Sequence, residues 1–231
     1  MSFLWAWLLT WDDQLDETSE SLGGDFDAGQ AFREQTLSFV KKTLGLKSDK
    51  DHTPFIGTGY DFIQKFSIIG NFIKQAYNEE QKEALMDEIE LIIHASKVEQ
   101  QLHLQQRLPT IEDYWDYRLG TNLMGVILAA TELSLQTQIP RPIMQHTLMK
   151  DLWQQTNTII SLTNDILSLK KEINNGEVIS LVPLLYVSVG DLQKAVDIAI
   201  EKLKTAVEKF MGIRRNMETQ FEIFLHPDMV S

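Results

Sequence analysis

The chain has 231 residues, 43% of them hydrophobic and 23% charged, which is ordinary for a globular protein with one sizeable core. A formal net charge of −12 argues against nucleic acid or an anionic membrane surface as the main partner, because both would repel it. The absence of cysteine excludes disulfides, thiol nucleophiles and zinc–thiolate sites.

The opening residues, MSFLWAWLLT, are typical of the last turns of a core helix. This run is too short to span a bilayer, and no positively charged side chain precedes Arg33, so it does not resemble a signal peptide. We therefore expect no membrane span, a cytoplasmic location, and a chain that begins inside a larger fold.

Helical periodicity dominates the rest of the chain, and strand signals are scarce. The predicted helical or apolar segments are, in chain order, 26–46, 56–77, 79–106, 110–136, 143–174, 178–189 and 191–216. Neither an internal repeat nor a low-complexity tract separates them. The sequence therefore predicts an all-α fold with a single domain over residues 1–231.

Capping and turn residues mark several boundaries. Gly45 is expected to end the first of these helices, and a polar linker, 47–53, follows it. Thr110, with Asp113 three residues later, is typical of a helix N-cap. The basic pair Arg214-Arg215 is expected at the C-terminus of the last helix, where the helix dipole favours cations.

Acidic residues close the opening helix: Asp12 and Asp16 stand four apart, with Asp13 between them. Carboxylates at this spacing share one helical face, where they repel each other, and a helix C-terminus disfavours anions. A hard cation such as Mg²⁺, which prefers oxygen ligands, would remove both penalties. The pattern also fits a solvated acidic helix end.

The segment 164–172, NDILSLKKE, carries a more specific pattern. Asn164, Ser168 and Glu172 recur at intervals of four along one stripe of a long helix, and side chains lean toward the helix N-terminus. Their amide, hydroxyl and carboxylate oxygens would give one Mg²⁺ part of its shell. Lys171 would offer a positive charge to a phosphate group. The alternative is the solvated face of an amphipathic helix.

These residues resemble the two metal-binding motifs of microbial class I terpene synthases. The segment DDQLD at 12–16 is similar to the family's aspartate-rich motif, and 164–172 matches Asn-Asp-x-x-Ser-x-x-Lys-Glu. The resemblance implies the α-helical terpene-cyclase (isoprenoid synthase) fold and three Mg²⁺ ions, with Mn²⁺ as the alternative ion. It also implies a prenyl diphosphate substrate, with farnesyl diphosphate expected, and leaves a homodimer open. The implied metal ligands are Asp12, Asp13, Asp16, Asn164, Ser168 and Glu172.

Arg118 lies 46 residues before Asn164, at the offset where the family carries an arginine that senses diphosphate. A guanidinium is able to hold a phosphate through two parallel hydrogen bonds. Apart from the resemblance, Arg118 would simply pair with Asp113 or Asp116. By the resemblance, Arg118 and Lys171 both contact the leaving group.

The resemblance also implies a broken helix directly after Arg118. Thr121 would be the linker, and Asn122 the residue whose carbonyl faces the departing diphosphate. Gly120 and Gly125 would loosen the helix at this point.

Helical phase suggests which side chains would line an apolar cavity beside the two motifs. Such a cavity would shield a carbocation from water, and aromatic faces would stabilise it. The same positions also fit an ordinary core. They are Trp5, Leu8, Asn157, Ile160 and Ser161.

The pattern departs from the family at both ends. The sequence contains no Arg-Tyr pair, which members carry after the second motif, and only 11 residues precede Asp12, so the helical bundle is expected to be incomplete. The predicted function is nevertheless Mg²⁺-dependent ionisation and cyclisation of farnesyl diphosphate to a sesquiterpene and diphosphate. The first alternative is an inactive metal–diphosphate-binding remnant that lacks the lid and the Arg-Tyr pair. A chain-elongating prenyl transferase, which would carry a second aspartate-rich motif, and a purely structural helical protein are the others.

Overall fold

The computed structural model describes residues 2–16, 22–46, 61–175 and 178–225, with no side-chain detail for Asp16, Asn175 and 222–225. All regular structure in these ranges is helical, which confirms the predicted all-α class. None of these helices combines the length and the apolar character that a bilayer crossing requires. A short 3-10 helix, Leu22–Gly24, follows the first α-helix in the sequence. The α-helices are, in chain order, α1 (Ser2–Asp16), α2 (Phe26–Leu44), α3 (Asp61–Gln64), α4 (Phe66–Ala76), α5 (Glu79–Leu104), α6 (Ile111–Thr121), α7 (Met124–Ala129), α8 (Thr131–Leu135), α9 (Arg141–Met144), α10 (Thr147–Asn175), α11 (Leu181–Val189) and α12 (Leu192–Leu225).

Most boundaries follow the local sequence as predicted. Gly45 ends α2 with a left-handed φ of 75°, and its N–H bonds to the last carbonyls of the helix. Thr110 and Asp113 form a reciprocal capping box at the start of α6, because each side chain accepts a hydrogen bond from the other residue's backbone N–H. The predicted linker 47–53 lies outside the described residues.

Several predicted helices differ in extent from those observed; for example, 143–174 is divided between α9 and α10. The segment 110–136 is not one helix but three, α6 to α8, and the first break falls at Leu123, whose φ of 62° is left-handed. The last helix continues to Leu225, so the prediction that Arg214-Arg215 marks its C-terminus is wrong. Arg214 pairs with Glu218 one turn later at 2.8 Å, which supports the helix beyond this point.

The helices form two compact units, and the predicted single domain over 1–231 stays a prediction. The first unit comprises residues 1–107 and 125–137. In it, α2 packs against α4 and α5, and α1 contacts the same two helices. Aromatic side chains fill part of this core: Trp7 stacks on Phe62, and Trp11 on Phe32.

The second unit comprises residues 108–124 and 138–231. Its most extensive helix–helix contact joins α10 and α12, and both α6 and α12 also pack on α11. Apolar side chains fill the contacts between these helices. The buried ones include Leu162, Leu181, Val182, Ala195 and Ala199.

A buried arginine in the first unit is linked through α5 to the 3-10 helix Leu22–Gly24. Arg33 of α2 is 1% exposed and donates to Ser96 Oγ (3.0 Å) and Gln100 Oε1 (2.7 Å) of α5. The Gln100 amide nitrogen in turn donates to the carbonyls of Leu22 (2.8 Å) and Gly23 (3.0 Å). Burial lowers the pKa of Arg33 to about 10, which leaves it charged at neutral pH. Gln100 therefore links the buried guanidinium to the 3-10 helix Leu22–Gly24 through hydrogen bonds.

Close packing in the same unit explains Gly125. A Cβ at this position would lie 1.8 Å from Oε2 of Glu88, so any side chain would displace that carboxylate. Gly120 and Gly125 are both helical themselves, and the break lies between them, at Leu123. Burial raises the pKa of Glu88, and the neighbouring Asp87 raises it further.

We expect Gln100→Ala to lower the free energy of unfolding by about 2–4 kcal/mol, because it strips hydrogen bonds from a buried guanidinium and two carbonyls. Urea denaturation measures the change. Gln101→Ala, an exposed glutamine of the same helix, serves as the matched control and should stay within about 0.5 kcal/mol of the wild type. Equal effects for the two variants would show that the Gln100 bonds contribute nothing.

We also expect Glu88→Gln to change how stability depends on pH. The folded-state pKa of Glu88 is raised, so the wild type loses stability as pH rises from the unfolded value, about 4.3, through the folded one. Glutamine does not ionise, and the variant should therefore gain stability relative to the wild type as pH rises above the unfolded value. Denaturation at several pH values measures this difference, with the exposed Glu83→Gln as control. A pH-independent difference would contradict the expectation.

Candidate functional site

The predicted row of oxygen ligands lies along α10. Ser168 Oγ is 2.5 Å from Glu172 Oε1 and 2.6 Å from the backbone carbonyl of Asn164, and its single proton serves one of these acceptors at a time. Glu172 therefore reaches back along the helix to Ser168, as its direction predicts.

The second carboxylate oxygen of Glu172, Oε2, is buried without a hydrogen-bond partner. Leaving such an atom unsatisfied is costly, and a cation would satisfy it. Together with the oxygens of Asn164 and Ser168, it fits the preference of Mg²⁺ for hard ligands. Within the described ranges, no three histidine or carboxylate side chains come together as a metal-binding group, so a cation on α10 would depend on the amide and the hydroxyl as well as on Glu172.

Arg118 of α6 contacts the beginning of this row. Its Nη2 donates to Asn164 Oδ1 and to Asp165 Oδ1, both at 2.7 Å. Its Nε donates to the Tyr114 hydroxyl at 3.1 Å, and Nη1 donates to Thr121 Oγ1 at 3.3 Å. The guanidinium is thus held in place by groups from both α6 and α10.

Asp165 is a buried carboxylate, 1% exposed, at which α6, α10 and α11 meet. Its Oδ2 accepts hydrogen bonds from the Tyr114 hydroxyl and from the backbone N–H of Leu181 (2.9 Å), the first residue of α11. Ser180, the N-cap residue of α11, makes no side-chain cap bond, so Asp165 takes that role from another helix. Burial raises the pKa of Tyr114 far above its ordinary value, and the Asp165 carboxylate raises it further while Arg118 opposes the shift. The phenol therefore stays protonated and donates.

Asn122 connects the break after α6 to α10. Its Nδ2 donates to Ser161 Oγ (2.8 Å) and to the backbone carbonyl of Asn157 (3.2 Å). Its Oδ1 accepts from the N–H of Met124, the first residue of α7. The side chain of Asn122 therefore fixes the chain where the helix is interrupted, whereas the role predicted for its backbone carbonyl stays a prediction.

The remaining predicted residues of the second unit differ in exposure. Lys171 is exposed on α10, as is much of Ile160. Ser161 is fully buried beneath Asn122, and Asn157 presents a buried Oδ1 that has no hydrogen-bond partner. Their predicted roles in binding substrate stay predictions.

The aspartate-rich motif belongs to α1 in the first unit. Asp12 is half-buried and Asp13 is exposed, while the side chain of Asp16 lies outside the described residues. Of the two predicted cavity residues on α1, Leu8 belongs to the buried core and Trp5 is partly exposed.

Two residues that are hydrogen-bonded to Arg118, Tyr114 and Asp165, were not predicted from the sequence. Tyr114 precedes Arg118 by one helical turn, a spacing that brings side chains together, and this was the available indication. Asp165 lies inside the recognised motif but about 100° around the helix from Asn164, off the stripe of predicted ligands. Its burial and its partners depend on helices that lie far away in sequence.

A family model described as "Terpene synthase family 2, C-terminal metal binding" matches residues 4–209. Among curated proteins, the sesquiterpene cyclase hepA of Aspergillus oryzae is 30% identical, over 99% of this chain and 63% of its own length. The (+)-eremophilene synthase of Sorangium cellulosum is 29% identical, over 49% of this chain and 35% of its own length.

Among solved structures, germacradien-4-ol synthase from Streptomyces citricolor is similar with a TM-score of 0.79 at 18% identity. The alignment covers 95% of this chain and 66% of that protein, and it shows a shared helical fold. The chain therefore spans under two thirds of the length of both hepA and this synthase.

We expect Asn122→Ala to lower the free energy of unfolding by about 1–3 kcal/mol, because it removes three hydrogen bonds, one of which caps α7. Thermal or urea denaturation measures the loss. The matched control is Asn216→Ala, an exposed asparagine of α12 in the same unit, which should change stability by less than about 0.5 kcal/mol. A loss no larger than that of the control would mean that the break is held by other contacts.

Proposed function

Because this chain belongs to the terpene synthase family, we propose that it ionises a prenyl diphosphate and cyclises the resulting carbocation, with Mg²⁺ as the bound ion and Mn²⁺ as the alternative. The observation that carries this proposal is the buried, unpartnered Oε2 of Glu172 in a row with Asn164 and Ser168. Arg118, a group that binds anions, contacts Asn164 at the beginning of this row, which supports a cation site beside an anion-binding side chain. The aspartate-rich group of α1 carries the other proposed metal ligands: Asp12, Asp13 and Asp16.

Farnesyl diphosphate is the proposed substrate, and the product would be a sesquiterpene together with diphosphate. The names of two relatives support this choice: hepA is a sesquiterpene cyclase, and a protein of Postia placenta, 30% identical over 45% of this chain, is a sesquiterpene synthase. Both names imply a fifteen-carbon prenyl substrate. A homodimer stays a prediction.

The residues of this chain would act on the leaving group and on the carbocation. Divalent cations, when bound, would stabilise the charge that develops on the departing diphosphate. Arg118, which hydrogen bonds hold beside Asn164, would bind the same anion, and the exposed Lys171 would add a second positive charge. Thr121 accepts a hydrogen bond from Arg118 and directly precedes Asn122, so movement of the guanidinium would reach the helix break.

A carbocation must be kept from water until it has cyclised. We propose that the residues that bind the prenyl chain include Trp5 and Leu8 on α1 of the first unit. On α10 of the second unit, the proposed residues are Asn157, Ile160 and Ser161.

Incubating the purified chain with farnesyl diphosphate and Mg²⁺ tests the proposal. We expect a terpene product and diphosphate release that require the metal. Asn164→Ala and Glu172→Ala should each lower kcat/KM at least about 100-fold, equivalent to about 2.7 kcal/mol of transition-state stabilisation. Gas chromatography of the extracts and a diphosphate assay give the two readouts, and substrates with ten and twenty carbons test chain length.

Leu167→Ala is the matched control, because Leu167 is 79% exposed on the same helix and should be dispensable. Thermal stabilisation by Mg²⁺ and diphosphate without any product would identify the alternative of a metal–diphosphate-binding protein without turnover. No response to either component would contradict the proposed function altogether.

A further inference from the structure

Oδ1 of Asn164 on α10 is a potential ligand for two cations, the Arg118 guanidinium and a divalent metal ion. Oδ1 of Asn164 accepts a hydrogen bond from Arg118 Nη2 at 2.7 Å. The same oxygen would ligate a divalent cation, at about 2.1 Å for Mg²⁺. A bound ion and the Nη2 nitrogen would then lie within about 5 Å of each other, where like charges repel. Cation binding at Asn164 therefore depends on how the charge of Arg118 is balanced.

Asp165 supplies that balance. Its Oδ1 accepts from the same Nη2 atom at 2.7 Å, and the Arg118 side chain is only 14% exposed, so the pair is poorly screened by solvent. The carboxylate does not point along the stripe of Asn164, Ser168 and Glu172 and is therefore a counter-ion rather than a member of that row. Its second oxygen is fixed by Tyr114 and by the Leu181 N–H.

We propose that Asp165 is a positioning residue that sets the affinity of the Asn164 site for a divalent cation by neutralising and tethering Arg118. With the carboxylate in place, Arg118 is able to yield Asn164 Oδ1 to an arriving cation and still keep its bond to Asp165. Without the negative charge, the guanidinium competes with the cation for Asn164. This inference rests on the proposed function, because it concerns the same metal site.

The bond to Leu181 extends this coupling to α11. Since Ser180 makes no side-chain cap, the first turn of α11 depends on the Asp165 carboxylate for its N-terminal hydrogen bond. A change in the Arg118–Asp165 pair would therefore alter the N-terminal hydrogen bond of α11 as well as the environment of Asn164.

Binding of Mn²⁺ in the presence of inorganic diphosphate tests the inference without requiring turnover. Asp165→Asn keeps the shape of the side chain and removes its charge. We expect this variant to bind Mn²⁺ about 10- to 100-fold more weakly than the wild type, as measured by electron paramagnetic resonance of free Mn²⁺ and by calorimetry. In the Arg118→Gln background the same change should alter Mn²⁺ affinity less than about 3-fold, because the competing charge is then absent.

Loss of stability alone must not be mistaken for this effect. Leu184→Ala, a truncation in the buried core of α11, destabilises the same unit without touching the pair and should leave Mn²⁺ affinity unchanged. If Asp165→Asn folds poorly, the double variant Arg118→Gln/Asp165→Asn, which removes both charges together, is used instead. Its Mn²⁺ affinity is then compared with that of the single variant Arg118→Gln.

The outcomes separate the two proposals. Wild-type affinity in Asp165→Asn would overturn the positioning role, as would an equal loss in the Arg118→Gln background, because Asp165 would then act on the metal independently of Arg118. If the wild type itself binds no Mn²⁺ with diphosphate, the proposed function fails, and this inference fails with it.

Discussion

A carboxylate that is withdrawn from water must have its charge balanced locally, and in this protein that requirement falls on Asp165. The compensating groups come from two other helices: the Arg118 guanidinium and the Tyr114 hydroxyl from α6, and a backbone N–H from the first turn of α11. Satisfying one buried charge therefore fixes three helices of the second unit with respect to each other. Because Asn164 is adjacent to Asp165, the same arrangement positions its side chain in contact with Arg118.

The parts of the site that could be predicted are those that depend only on the spacing of residues within one helix. Asn164, Ser168 and Glu172 lie one turn apart, so their common face follows from helical geometry, and the contact between Ser168 and Glu172 confirms it. The Thr110–Asp113 capping box is local in the same way. Family membership was also predictable, because the motif around Asn164 is long and specific. The partners of Arg118 were not, since Asp165 lies 47 residues away, and its burial arises only when the helices pack.

The interruption of the helix after Arg118 illustrates the same limit. The family resemblance implied a broken helix that Gly120 and Gly125 would loosen, but the left-handed residue is Leu123. The hydrogen bonds of Asn122 to α10 and to the start of α7 hold the chain in this conformation, which offsets the strain of a left-handed leucine. Gly125 is needed because the Glu88 carboxylate occupies the space of a side chain. A glycine in a sequence thus marks a backbone requirement or a space requirement, and only tertiary packing distinguishes them.

The buried Arg33 differs from the Arg118 pair in the kind of partner it uses. Its charge is met by the hydroxyl of Ser96 and the amide of Gln100, neither of which titrates. In a chain with 33 acidic residues, acid protonates carboxylates and salt screens exposed ion pairs. The hydrogen bonds that anchor the 3-10 helix Leu22–Gly24 involve no carboxylate and no exposed ion pair, so neither effect acts on them directly. The position of the 3-10 helix Leu22–Gly24, which follows the aspartate-rich helix in the sequence, should therefore be less sensitive to acid and to salt than the exposed ion pairs of the protein.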